Sequence, residues 1–195
     1  LTIDPLKVRY LRNVLSGVQL AIRTYSSPGS PVVLPSPAYM PFWEVPGLEG
    51  RDIISVPIID SGFGWTLDLD GISDAFAKGA ESIILCQPYN PLGRVFTIDE
   101  LRGLAEVVDR HHGFVVSDEI HGPLVPAGES RKASVPYASI SELASSHSVL
   151  VSSASKSFNL PGLMTAFVTL FTDEQAKVWD EKVHPLDAEG VTTIE

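Results

Sequence analysis

Short β-branched apolar runs alternate along the chain with longer amphipathic stretches. The runs at 32–34, 53–57, 82–86, 114–117, 148–152 and 166–171 are mostly continuous in apolar character rather than alternating. This pattern predicts strands buried on both faces, as in a mostly parallel sheet covered by helices. Helical spacing is clearest at Leu101, Leu104, Val107 and Val108. Thr97 stands ahead of them as an N-cap with Glu100 three residues on, the pattern of a capping box, and Gly113 is expected to end the segment. Residues 15–24 and 172–183 read as two further helices, and residues 74–80 as a shorter one. Strand–helix alternation of this kind predicts an α/β fold, a mostly parallel sheet sandwiched by helices, over one domain spanning 1–195. No internal repeat, low-complexity stretch or linker interrupts it.

Composition narrows the possible functions. The chain has 195 residues, 14 Lys and Arg against 24 Asp and Glu, and a net charge of -10. That balance argues against nucleic acid as a partner, because phosphate backbones select clustered cations and the only basic pair is Arg131-Lys132. The longest apolar run, Ile83-Ile84-Leu85-Cys86, is far shorter than a membrane span. Cys86 is the only cysteine, which rules out an internal disulfide and any multi-cysteine metal site. His111 and His112 end a predicted helix without a partner at i,i+4, so no metal centre is expected. With no secretory segment at the start, a cytoplasmic location is the default expectation. The first residue is Leu1 rather than Met, which suggests a piece of a longer protein.

In open sheets of this class, ligands bind beyond the carboxyl ends of the strands. Four predicted strands run there into polar loops: one carrying Tyr39, one reading Gln87-Pro88-Tyr89-Asn90-Pro91-Leu92-Gly93-Arg94, one reading Ser117-Asp118-Glu119-Ile120-His121, and one reading Ser152-Ser153-Ala154-Ser155-Lys156. Asp118 could be a general base, a metal ligand, the partner of a buried cation, or simply a loop cap. Lys156 could be a solvated surface group. In a partly desolvated pocket it could instead form a Schiff base with an aldehyde. Ser153 and Ser155 could donate hydroxyls to a phosphate or be ordinary loop serines. Asn90 sits in a turn and could point its amide into a site. Tyr39 could be core packing or a flat face for an aromatic ligand. Ser16-Gly17-Val18 precedes an amphipathic stretch whose first N–H groups could hold an anion.

The order of these stretches is more specific than any one of them. An Asn-Pro-x-Gly turn, then Ser-Asp-Glu-Ile-His after a strand, then Ser-x-Ser-Lys after a further strand, resembles the pyridoxal 5'-phosphate enzymes of the aminotransferase class I/II family, fold type I. SDEIH and SASKSFNLPGL resemble its cystathionine β-lyase branch, also called the maltose-regulon-modulator type of C–S lyase. The resemblance runs from Ser16-Gly17-Val18 to Leu163. It implies a cofactor-binding large domain, with an N-terminal arm and a C-terminal small domain lying outside this chain. It also implies that Lys156 carries the cofactor as a Schiff base and that Asp118 pairs with the pyridine nitrogen. Asn90 would bond the ring oxygen and Tyr39 would stack on the ring. Gly17 and Val18 would offer N–H groups to the phosphate, with hydroxyls from Ser153 and Ser155.

Three positions depart from the resemblance, one of them Leu92 in place of the more usual Thr, which leaves Asn90 untouched. Many family members have Tyr where His121 stands, and many have a phosphate-gripping Arg where this chain has Met164. The resemblance implies a homodimeric enzyme acting on a small amino acid. It would be a C–S β-lyase releasing a thiol, pyruvate and ammonia from substrates such as cystathionine. The alternatives are an aminotransferase of the same family, a regulatory protein retaining the fold, and an α/β binding domain with no cofactor.

Overall fold

A computed structural model describes residues 3–60, 62, 64–125 and 134–183; the Arg131-Lys132 pair lies outside them. In chain order the strands are β1 (Val8–Leu11), β2 (Val32–Ser36), β3 (Ile53–Pro57), β4 (Ile59–Asp60), β5 (Trp65–Thr66), β6 (Ser82–Cys86), β7 (Phe114–Asp118), β8 (Ser148–Ser152) and β9 (Ala166–Thr169). The α-helices are α1 (Val14–Tyr25), α2 (Val45–Leu48), α3 (Leu69–Ala77), α4 (Ile98–Arg110), α5 (Glu142–Ser146), α6 (Ala154–Ser157) and α7 (Asp173–Lys182). Seven strands form one sheet in the order β1-β9-β8-β7-β6-β2-β3, and β4 pairs with β5 apart from it. From β8 through β3 every pairing is parallel, while β9 runs antiparallel to both of its neighbours. The predicted mixed-layer α/β class is therefore present, and β6, β7 and β8 are buried along their whole length.

Continuous apolar runs such as Ile83-Ile84-Leu85 and Val115-Val116 form the centre of the sheet because both of its faces are covered. β1 escaped the sequence reading. Its exposed Tyr10 and charged Arg9 interrupt the apolar pattern, and it is held by pairing with β9 and by Arg9, whose guanidinium grips Asp180 of α7 in a two-bonded fork at 2.8 and 2.7 Å. The capping box at Thr97 is formed in both directions, with Glu100 N to Thr97 Oγ1 at 3.2 Å and Thr97 N to Glu100 Oε2 at 2.7 Å.

Three boundaries correct the expectation. The helix placed at 74–80 begins at Leu69, because the Asp68 side chain caps it by accepting from Gly71 N. Helix α4 ends at Arg110, and His112 rather than Gly113 adopts the left-handed conformation (φ 54). Gly113 is required for space instead, since a Cβ there would lie 2.5 Å from Cε1 of Phe76. Helix α1 begins at Val14, with Asn13 as N-cap accepting from Ser16 N at 2.9 Å. Gly17 and Val18 are thus inside the helix and buried, and Gly17 N already donates to Asn13 O at 3.2 Å. They cannot present N–H groups to an anion.

Gly17 has a packing role. A Cβ at that position would come within 2.5 Å of Val151 Cγ1 and 2.8 Å of Leu11 Cδ1, so α1 lies close on the sheet only because the side chain is absent. Gly17→Ala should destabilise the protein by about 1–3 kcal/mol through overpacking, although the same change in an exposed helix would stabilise it by about 1 kcal/mol. Urea denaturation checks this, and a gain in stability would show that α1 has room to move away.

Candidate active site

The carboxyl ends of β2, β6, β7 and β8 meet the N-terminus of α1 around one cavity of about 230 Å³. Its lining contains Tyr39, Asn90, Asp118, His121, Ser153, Ser155 and Lys156, so strand loops far apart in sequence converge as the resemblance implies. Gly17 and Val18 are not in it. Residues Asn13, Val14 and Leu15 line it in their place, together with Arg12, Cys86 and Met164.

Asp118 is the last residue of β7. It lies in register with Cys86 of β6 and Val151 of β8. It is 5% exposed, and its carboxylate accepts one bond, from Ile120 N at 3.0 Å. Burial raises its pKa to about 6, with the Ile120 N–H pulling in the other direction. Cys86 beside it is a buried thiol pushed up to about 12, first by burial and then by the charge of Asp118. The site therefore holds a desolvated carboxylate that lacks a cationic partner among the described residues.

Asn90 is held by a pinned loop. The buried Gln87 amide bonds the Phe96 backbone both ways, Nε2 to O at 3.2 Å and N to Oε1 at 3.1 Å. Tyr89 N and Gly93 N close the intervening turn through Arg94 O and Tyr89 O, both at 2.7 Å. The buried Tyr89 hydroxyl donates to Pro37 O at 2.8 Å, tying the Asn90 loop to the loop that carries Tyr39. Neither Gln87 nor Tyr89 stood out in the sequence, because their work is done through backbone groups. Tyr39 makes an edge contact with Phe42, with centroids 5.5 Å apart at 90°, and the residue remains 42% exposed while lining the cavity.

Lys156 lies in α6, a single helical turn after β8. Ser153 caps that turn, its Oγ accepting from Ser155 N at 3.0 Å and donating to Thr165 O at 2.6 Å. The one hydroxyl hydrogen of Ser153 is thus committed, and Ser155 is the serine with a hydroxyl free of bonds to described residues. Lys156 is exposed and makes no ion pair with a described residue. Burial first, and then the charge of Lys156, lower the His121 pKa below the usual imidazole value. Also lining the cavity, the start of α1 has its Asn13 cap on Ser16 N, which leaves the N–H groups of Val14 and Leu15 without an acceptor among the described residues. No acidic residue occupies the first turn of α1, so its partial positive charge is uncompensated. The cavity therefore brings a buried carboxylate and the partial positive charge of a helix N-terminus together, and it suits a ligand that carries both a cationic and an anionic group.

The chain belongs to the aminotransferase class I and II family, whose sequence profile matches residues 4–180. It is 33% identical over 191 residues to cystathionine beta-lyase of Corynebacterium glutamicum, covering 98% of this chain and 49% of that protein. It is 36% identical over 166 residues to the protein MalY of Escherichia coli, covering 85% of this chain and 41% of that protein. Among solved structures, one described as a PLP-dependent beta-cystathionase of Corynebacterium diphtheriae superposes with a TM-score of 0.87 at 30% identity, covering 97% of this chain and 48% of that one. The architecture is that of fold type I. The chain spans about half the length, or less, of the curated relatives it matches.

Beneath the site, Glu119 is also buried, and its Oε1 accepts from Ser117 Oγ at 2.8 Å and Tyr137 N at 2.9 Å. Burial raises its pKa to about 7, against the pull of those bonds. A carboxyl whose folded pKa lies above its unfolded value binds its proton more tightly in the native state. Its contribution to stability is therefore full below the unfolded pKa and is lost as pH rises through about 7. Asp118 acts in the same sense through about 6. Between pH 5 and 7.5 the cofactor-free protein should lose stability, with Glu119 contributing on the order of 2 kcal/mol. Glu119→Gln keeps the acceptor oxygen and should remove roughly half of that slope. Urea midpoints at the two pH values measure it, and an unchanged slope would mean that Glu119 is ionised throughout.

Proposed function

We propose that this chain forms the cofactor-binding part of a pyridoxal 5'-phosphate-dependent C–S β-lyase that acts on amino acids bearing sulfur on Cβ, such as cystathionine. The observation that carries the reading is the convergence of Lys156 and the buried, cation-free Asp118 on one cavity. The donor set fits the cofactor. Asp118 would pair with the ring nitrogen, Asn90 and His121 would bond the ring oxygen, and Tyr39 would offer a stacking face. Ser155, with the N–H groups of Val14 and Leu15 that have no acceptor among the described residues, would receive the phosphate. When bound, the cofactor supplies an aldehyde that condenses with amines and a ring that accepts electrons while its nitrogen stays protonated.

The residues of this chain do the rest. Lys156 Nζ would hold the aldehyde and give way to the amino group of the substrate. It is then positioned to remove the proton from substrate Cα. Asp118 keeps the proton on the ring nitrogen, and its burial strengthens that attraction because water no longer screens it. Departure of thiolate from Cβ leaves a fragment that water converts to pyruvate and ammonia. The cystathionine beta-lyase match over 98% of the chain favours this outcome over amino transfer. We read the active protein as a cytoplasmic homodimer. Support for the dimer comes from the apolar side chains exposed near the cavity, among them Met40 at 78% and Phe158 at 70%, which a second body would cover.

Two outcomes test the proposal. Borohydride reduction of the cofactor-loaded full-length protein, followed by peptide mapping, should place the label on Lys156; label on Lys177 or another lysine would sink the assignment. With cystathionine and no keto acid, the same protein should release pyruvate, and Asp118→Asn should lower that turnover at least ~10²-fold while leaving most of the cofactor in place. Turnover that requires a keto acid would instead establish an aminotransferase.

A further inference from the structure

We infer that Arg12 is the cation that holds the cofactor phosphate, an assignment that rests on the cofactor reading above. A phosphate monoester carries a charge of about −1.5 to −2 near neutral pH. It would enter a cavity that already contains the carboxylate of Asp118. Among the described lining residues, only Arg12 and Lys156 carry full positive charge. The amine of Lys156 is committed to the aldehyde, and burial and the charge of Lys156 both disfavour the charged form of His121. The helix N-terminus contributes only a fraction of a charge. Met164, which shares the cavity, contributes none. Among the described lining residues, Arg12 is thus the fixed full charge left to balance the phosphate.

Its position agrees. Leu11 ends β1 in register with Ala166 of β9, and Asn13 caps α1, so Arg12 is held between two anchored residues beside the free N–H groups of Val14 and Leu15. Arg9, Arg94 and Arg102 each engage a carboxylate, respectively Asp180, Glu100 and Asp99. Arg12 is exposed and makes no ion pair or hydrogen bond to a described residue. A guanidinium presents paired N–H donors that match two phosphate oxygens at once, which an ammonium cannot do.

The test compares pyridoxal 5'-phosphate with pyridoxal, which lacks the phosphate, in binding titrations of the full-length protein and its Arg12→Gln and Arg12→Lys variants. Arg12→Gln should weaken the phosphate form by about tenfold or more and pyridoxal by less than about twofold, with Arg12→Lys in between. Inorganic phosphate should compete with the cofactor for the parent and less so for Arg12→Gln. Unchanged thermal unfolding of the cofactor-free variants would show that folding is intact. Equal weakening of both ligands, or no weakening of either, would overturn the assignment. So would an effect confined to the Michaelis constant for the amino acid, which would place Arg12 on the substrate carboxylate. A parent protein that takes up neither compound would overturn the cofactor reading itself.

Discussion

The parallel register of β6, β7 and β8 ends three buried strands side by side, with Cys86, Asp118 and Val151 in one row. A carboxylate in the middle of that row is separated from water by the layers that make the sheet stable, and its ionised form is disfavoured in consequence. The protein gives Asp118 a single backbone N–H and no cation among the described residues. Everything else at the site can be understood from that imbalance. A positively charged ring nitrogen would restore ionisation, and the surrounding loops fix where such a ring can lie. Gln87 and Tyr89 lock the Asn90 loop and join it to the loop of Tyr39, so the edge and the face of the ring site are set by the same buried groups.

The start of α1 uses a different device. Gly17 lets α1 approach Val151 and Leu11 closely, and the start of α1, where the Asn13 cap takes up only Ser16 N, lines the cavity. A negative partner at Asp118 and a positive field at α1 give the cavity a charge gradient along its length. On the proposed function, a phosphorylated, protonatable aromatic aldehyde would lie with its phosphate towards Val14 and Leu15 and its ring nitrogen towards Asp118.

Much of this was legible in the sequence where one local signal dominated. The β-branched runs marked the buried strands, because only a sheet covered on both faces tolerates such continuity. Thr97 and Glu100 marked the start of α4, because a reciprocal cap is a strictly local interaction. Ser16-Gly17 misled for the converse reason. Small polar residues resemble a helix start, yet Asn13 made the cap, and Gly17 answers to a distant contact with β8. Gly113 was misjudged in the same way, since Phe76, from another helix, determines its role. Arg12, Gln87 and Tyr89 carried no local signal. Which cation faces a cavity, and which amide pins a loop, depends on residues brought together only by the tertiary fold.

The central claim is that Asp118 awaits a cation in the cavity, and its own titration tests that most directly. Carbon-13 carboxyl resonances, assigned by difference with Asp118→Asn, report its ionisation with and without pyridoxal 5'-phosphate. In the cofactor-free protein the midpoint should lie near the raised value of about 6. With the cofactor bound it should fall by at least about one unit, because a neighbouring positive charge favours the ionised form. A midpoint that does not move on cofactor binding would contradict the account.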